Sequence, residues 1–223
     1  MSAAIEIKEL TVVYNDHSPA AITALDHVSL RVEKGEAVVI SGGNGTGKTT
    51  LLRAIAGTIP IRSGEIWLDG VNVTHWSARK RTRLLGMVYQ DTMLGTCPGL
   101  SIQENFQLTD SQRWWLPVPY QLHLSEAQIA RMAQAGLGLE NRPATLVGSL
   151  SGGQRQAMAL CMAFEQQKPL LLLDEFTSAL DEHTKHRLLQ YTFEQAGRQA
   201  TTLLIVSHRP EELITLNTRI VKF

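Results

Sequence analysis

The sequence predicts an α/β protein with a mainly parallel sheet, a small antiparallel β subdomain and an inserted α-helical subdomain. Three observations predict it. First, Ser41-Gly-Gly-Asn-Gly-Thr-Gly-Lys-Thr-Thr50 lies between an apolar β-branched run, Glu36 to Ser41, and a stretch of helical spacing, Thr50 to Ala56, that stops at Gly57. Strand, glycine loop and helix in that order are the opening of a parallel α/β unit. Second, Leu170–Glu175 and Thr201–His208 read as short buried strands separated by a helical segment, Asp181–Ala196. Third, the stretch from Asp91 to Gly148 changes character, with Pro98, Gly99, Trp114, Trp115, Pro117 and Pro119 between helical pieces.

The remaining elements follow in order. Ile5–Tyr14 alternates and is β-rich, so it reads as a strand, and Asn15–Ala21 as a polar loop. Ile22–Val32 is a second strand region, and Lys34-Gly35 turns the chain into the strand before the glycine loop. Ser63–Gly70 ends on Asp69-Gly70, a tight-turn signal. Ala78–Leu84 reads as a short helix and Leu85–Gln90 as a strand. Ser125-Glu-Ala-Gln128 is a capping box that opens a helix to about Ala135. Leu150–Gln167 is a helix opened by Ser151-Gly-Gly153, Pro210 starts a short helix, and Arg219–Phe223 is a last strand. The expected organisation is one domain, residues 1–223, with 1–90 and 150–223 forming the core and 91–149 the helical subdomain.

From Gly42 the loop reads G-x-x-x-x-G-K-T, a pattern whose chemistry is phosphate binding. Gly42, Gly43, Gly45 and Gly47, with Asn44 and Thr46 between them, allow the backbone to curl and aim its N–H groups inward. The following helix adds its positive end. Lys48 reaches the β- and γ-phosphates, the Thr49 hydroxyl ligates Mg²⁺, and Thr50 is a further hydroxyl donor. Gln90, Asp174, Glu175 and His208 all fall at carboxyl ends of predicted strands, where ligands of open α/β sheets gather. Asp174 is the expected Mg²⁺ ligand and Glu175 the general base. His208 binds the γ-phosphate or holds the attacking water, and Gln90 ligates Mg²⁺ and senses the γ-phosphate. Ser151-Gly152-Gly153-Gln154 is a second anion site at a helix start. Two such sites in one chain suggest one nucleotide touched by two subunits. Tyr14 either stacks on adenine or is a half-buried strand aromatic.

Composition narrows the class. Lys plus Arg and Asp plus Glu each number 21, so the formal net charge is zero and nothing favours nucleic acid. Arg79-Lys-Arg-Thr-Arg83 is the one basic cluster and reads as a solvated helix face. No apolar run approaches the ~18 residues of a membrane-spanning helix. The first residues lack a signal peptide's apolar core, which gives a cytoplasmic expectation. Cys97 and Cys161 lack metal-ligand spacing and read as reduced, silent thiols.

With these pieces in place, the chain resembles the ATP-binding subunits of ABC transporters over nearly its full length. Gly42–Thr49 is similar to Walker A, Gln90 to the Q-loop, Leu150–Gln154 to the signature motif, and Leu170–Asp174 with Glu175 to Walker B and its catalytic glutamate. Ser178–Asp181 is similar to the D-loop, His208 to the switch histidine and Tyr14 to the adenine-stacking aromatic. The resemblance implies a head-to-tail dimer, with ATP and Mg²⁺ held between Walker A of one subunit and Ser151-Gly-Gly of the other, and with Asp181 at that interface; the intact motif set permits two equal hydrolytic sites, which favours a homodimer. It implies integral membrane permease subunits as partners, at the cytoplasmic face of the membrane, and in the full system an extracytoplasmic solute-binding protein. The chain departs from the pattern at Ala157–Ala163, more apolar than usual, and at Phe176, where proline is common. Gly95–Pro98 and Ser101–Asn105 are similar to bacterial importer ATPases for aromatic amino acids. The short length is similar to that of ATPases of lipoprotein release and cell division. Import of a small solute such as an amino acid is the expectation; the alternative is an ATP-gated regulator of a membrane partner.

Overall fold

The computed structural model describes residues 3–109, 123–213 and 218–223. Trp114, Trp115, Pro117 and Pro119 lie outside the described residues. The chain forms two compact units: residues 1–87, 168–175 and 196–223 make the first, and 88–167 with 176–195 the second.

The first unit holds two sheets. Strands β1 (Ala3–Tyr14), β2 (Ile22–Glu33), β4 (Ser63–Leu68) and β5 (Val71–Asn72) pair in the order β2-β1-β4-β5. The described pairings there are all antiparallel. Asp69 and Gly70 join β4 to β5 with φ of 49° and 76°. Two left-handed residues in a two-residue connection match the twist of the strands they join, which is why Asp-Gly is selected.

The second sheet orders β6 (Leu85–Val88), β7 (Leu170–Asp174), β8 (Thr202–Val206), β3 (Ala37–Ser41) and β9 (Arg219–Lys222) as β6-β7-β8-β3-β9. The β7–β8, β8–β3 and β3–β9 pairs are parallel. Every residue of β7 and β8 is buried, as expected of a parallel sheet covered on both faces. Each leucine of β7 contributes about 1.5–3 kcal/mol by leaving water. In the ladder Ile40 sits opposite Val206 and Val221, and Asp174 opposite Val206. The chain therefore leaves β3, β7, β8 and β9 at one edge, and this is where the site forms.

Helix α1 (Lys48–Ala56) follows the glycine loop, with Leu51, Leu52, Ala54 and Ile55 buried. Gly57 ends it with φ of 73°, and Thr58 N–H donates to the Arg53 carbonyl at 3.0 Å. A second device caps this end. Arg81, on the short helix α2 (Ala78–Arg81), is only 2 % exposed. Its guanidinium donates to the carbonyls of Ala54 (2.7 Å), Ile55 (2.8 Å), Thr74 (3.0 Å) and Trp76 (3.2 Å). A cation at a helix C-terminus meets both the orphan carbonyls and the negative end of the dipole. The basic cluster is thus not a uniform solvated face. Arg79, Lys80 and Arg83 are exposed, while Arg81 is drawn inside.

The second unit is helical. Helices α3 (Ile102–Gln107), α4 (Glu126–Ala135) and α5 (Gly152–Glu165) each open on a serine capping box, at Ser101, Ser125 and Ser151. Residues Ala157–Phe164 of α5 are all buried, which accounts for the apolar run there. Within this unit α4 packs on α5, and Phe164 meets Tyr191 edge to face at 6.0 Å. Helix α6 (Glu182–Gln199) starts in this unit and finishes in the first. Cys161 is buried, and burial pushes its thiol up to about 12, so it stays protonated and inert.

Candidate active site

Gly47 caps α1 in a left-handed conformation, φ 91°. A Cβ there would strike the Ala24 carbonyl oxygen and lie 2.7 Å from Leu25 Cδ2, so only glycine fits. Thr46 Oγ1 donates to the Gly43 carbonyl at 3.1 Å and braces the loop. The Lys48 ammonium, buried, donates to the carbonyls of Gly42 (2.9 Å) and Gly43 (2.6 Å). It therefore points back over the loop, where a phosphate oxygen would be. Asn44 and Gly45 form the exposed crest.

The next turn carries two hydroxyls with different partners. Thr49 Oγ1 donates to Asp174 Oδ1 at 3.2 Å. Thr50 Oγ1 lies 3.2 Å from the Tyr14 hydroxyl. Asp174 ends β7 and is 5 % exposed. Burial pushes its carboxyl above the usual range; the Thr49 hydroxyl opposes this and the neighbouring Glu175 adds to it. A buried carboxylate beside a hydroxyl is a hard-oxygen pair that a divalent cation would relieve. Among the described residues no cluster of three or more His, Cys, Asp or Glu side chains could hold a metal alone. The Thr49–Asp174 pair fits Mg²⁺, which takes one or two protein oxygens and completes its shell with water and substrate phosphates.

Glu175 has φ of 44°, a left-handed conformation costly for a side chain with a Cβ. Its N–H donates to the Val206 carbonyl at 3.0 Å, so the end of β8 holds it there. Glu175 Oε1 lies 2.6 Å from His208 Nε2, with Glu175 largely covered and His208 more open. Tyr14, Gly42–Thr50, Asp174, Glu175 and His208 thus all belong to the first unit, and hydrogen bonds or ion pairs link several of them directly.

The other predicted residues belong to the second unit. Gln90 is exposed and lies two residues past β6, not on its end; His208 is likewise two past β8. Ser151 Oγ accepts from Gln154 N–H at 3.2 Å, and Gln154 Oε1 accepts from Ser151 N–H at 3.1 Å. This reciprocal pair is the capping box that opens α5. Asp181 caps α6 by accepting from Thr184 N–H at 2.9 Å, and that bond draws its carboxyl below the usual range. A Cβ on Gly153 would lie 2.8 Å from the Thr184 methyl, whereas one on Gly152 would meet open space.

Sequence reading passed over two supporting residues. Thr184 joins the Asp181 cap to Gly153; its signal was the D-x-x-T spacing of a helix start. Asn105 is fully buried, accepts from Cys97 N–H at 2.7 Å and donates to the carbonyls of Cys97 (3.0 Å) and Ser101 (2.9 Å). It fixes the turn from Cys97 to Ser101 that leads into α3. Only S-x-x-E hinted at that helix.

Comparison with known proteins places this geometry. The family described as ABC transporter matches residues 25–178. The chain is 33 % identical over 218 residues to the tyrosine transport ATP-binding protein of Clostridioides difficile, covering 97 % of this chain and 87 % of that one. It is 37 % identical over 195 residues to the thiamine import ATP-binding protein ThiQ of Escherichia coli K12, covering 86 % and 79 %. Among solved structures it is similar to the ATP-binding cassette MJ0796, in a dimeric post-hydrolysis state bound to ADP and Pi, with a TM-score of 0.82, 25 % identity and coverage of 98 % and 94 %. No described helix is long and apolar enough to cross a membrane. On its sequence, its fold and the site at the edge of its parallel sheet, the chain belongs to the ABC transporter family, as an ATP-binding, ATP-hydrolysing motor subunit.

Proposed function

We propose that this chain drives an importer of a small solute from the cytoplasmic face of the membrane, as a head-to-tail homodimer attached to integral membrane permease subunits. The observation that carries the hydrolytic role is the pair of contacts Thr49–Asp174 and Glu175–His208 beside the Lys48 loop. In this reading Lys48 and the loop N–H groups hold the β- and γ-phosphates, and Tyr14 stacks on adenine. Mg²⁺ would be held by Thr49 and Asp174, and would supply charge neutralisation at the phosphates. Glu175 takes a proton from the attacking water as the bond between the β-bridging oxygen and the γ-phosphorus breaks, giving ADP and phosphate. His208 fixes the carboxylate through Oε1 and so orients it toward the water.

The dimer is supported by Gly152. Among the described residues nothing lies within 4 Å of a Cβ built there, which leaves room for nucleotide held by a second copy to approach the backbone. ATP binds the closed dimer better than the open one, and losing the γ-phosphate removes that difference. Solute choice belongs to the membrane subunits and to an extracytoplasmic binding protein. The tyrosine and thiamine systems among the relatives support an amino-acid-sized, ring-bearing solute.

The test is Glu175→Gln. It is expected to retain ATP binding, to lower turnover at least ~100-fold, and to give an ATP-dependent dimer by light scattering. Near-normal turnover removes Glu175 from the role of base. The trapped variant, used as bait in detergent-solubilised membranes, is expected to retain a protein of several spans. Recovery of division-site or lipoprotein-release proteins instead favours an ATP-gated regulator.

A further inference from the structure

The strand after the switch histidine reaches the phosphate loop. β9 pairs in parallel with β3, Ser41 opposite Lys222, and Phe223 N–H donates to the Ser41 carbonyl at 2.8 Å. One residue on, a Cβ built on Gly42 would lie 2.6 Å from the Phe223 carbonyl oxygen and 3.3 Å from its carbonyl carbon. No side chain fits in that gap. Gly42 has an ordinary φ, so the need for glycine there comes from the backbone of Phe223 and not from a left-handed turn. The Phe223 ring is half-buried and packs, with Val221, on the core that also contains Ile40, Leu51 and Leu52. The Gly42 carbonyl is in turn one of the two that Lys48 engages.

We propose that Phe223 is a positioning residue for the phosphate loop. Its N–H fixes the exit of β3, and its carbonyl sets the path of Gly42 and hence the height of the loop over which Lys48 reaches. It touches no reacting atom. Its effect is on how well the loop is pre-shaped for phosphate, so it is felt in nucleotide affinity and not in the chemical step.

The inference rests on the nucleotide site proposed above, and the test separates the two. Binding of ATP·Mg²⁺ and steady-state turnover are measured on the purified full chain, with thermal unfolding recorded in parallel. Three variants divide the contacts. Deletion of Phe223 removes both backbone contacts, Phe223→Pro removes only the N–H, and Phe223→Ala removes only the ring. The deletion is expected to raise Kd and KM for ATP about tenfold, with kcat at saturating ATP within about twofold of the parent. Phe223→Pro is expected to fall between, and Phe223→Ala to lower Tm while leaving KM within about twofold. Unchanged affinity in both the deletion and Phe223→Pro overturns the inference, as does a KM that rises equally in Phe223→Ala. Lys48→Ala is the control: if it too leaves affinity unchanged, the nucleotide site is misplaced, whereas lost binding in Lys48→Ala with none in the Phe223 variants sinks the positioning role alone.

Discussion

Replacing Arg81 tests how the phosphate-loop helix is held at the end away from the phosphates. Arg81→Met keeps the length and apolar volume of the side chain but removes all its donors. Four charge-assisted bonds to main-chain carbonyls are lost. At about 1.5–3 kcal/mol each they sum to roughly 6–12 kcal/mol. Against this stands the cost of keeping a guanidinium out of water, a burial that also lowers its pKa. That cost is several kcal/mol. The net loss is expected to be about 3–5 kcal/mol, or roughly 6–20 °C in Tm for a chain of this size. Urea denaturation of the nucleotide-free protein measures it, as a lower midpoint at unchanged m-value. Arg81→Lys, with one compact ammonium in place of the planar fork, is expected to recover only part of it. Because Arg81 meets the C-terminal turn of α1, KM for ATP in the folded fraction is expected to stay within about threefold. A loss below about 1 kcal/mol in Arg81→Met would refute the reasoning, since the carbonyls would then be satisfied without the guanidinium.

Asp174→Asn is expected to raise the Tm of the nucleotide-free protein at neutral pH and to abolish the stabilisation given by ATP·Mg²⁺. The sign follows from the raised carboxyl: above its folded pKa the ionised group penalises folding, and the penalty fades as pH falls through that pKa. The advantage of Asn should therefore shrink in acid, and differential scanning fluorimetry across pH checks it; a lower Tm at neutral pH would contradict it. Gly152→Ala is expected to leave monomer stability unchanged and to weaken the ATP-dependent dimer, while Gly153→Ala destabilises the monomer by about 1–3 kcal/mol through the Thr184 methyl. Equal effects of the two would remove the argument for an outside partner at Gly152. Tyr14→Phe retains the ring but loses the bond to Thr50, and is expected to raise KM for ATP a few-fold, about 0.5–1.5 kcal/mol. Tyr14→Ala is expected to cost more, and equal values for the two would argue against stacking.

The sequence by itself determined the elements and the chemistry. Glycine spacing, the lysine and the two threonines, set between a strand and a helix, point to a phosphate loop, because those constraints are local: left-handed φ, a helix start, donors within one turn. Strands β3, β7 and β8 were legible as apolar runs, the capping box at Ser125 as serine followed by glutamine, and the start of α5 as Ser151-Gly-Gly; that Ser151 also makes a capping box came from the structure. The residues Asp174, Glu175 and His208 were placed in one site because parallel strands deliver their carboxyl ends to one edge. Tertiary structure alone decided the rest. Arg81 sits among exposed basic residues, and nothing local distinguishes it; only the approach of the α1 carbonyls makes it a buried cap. Gly42 looks like its neighbours in the loop, yet its lack of a side chain answers to Phe223, brought there by a strand from the far end of the sequence. Gly152 and Gly153 are adjacent and identical in sequence, but only Gly153 has Thr184 against it. In each case the deciding contact is long-range, and a sequence records the residue without recording what packing sets beside it.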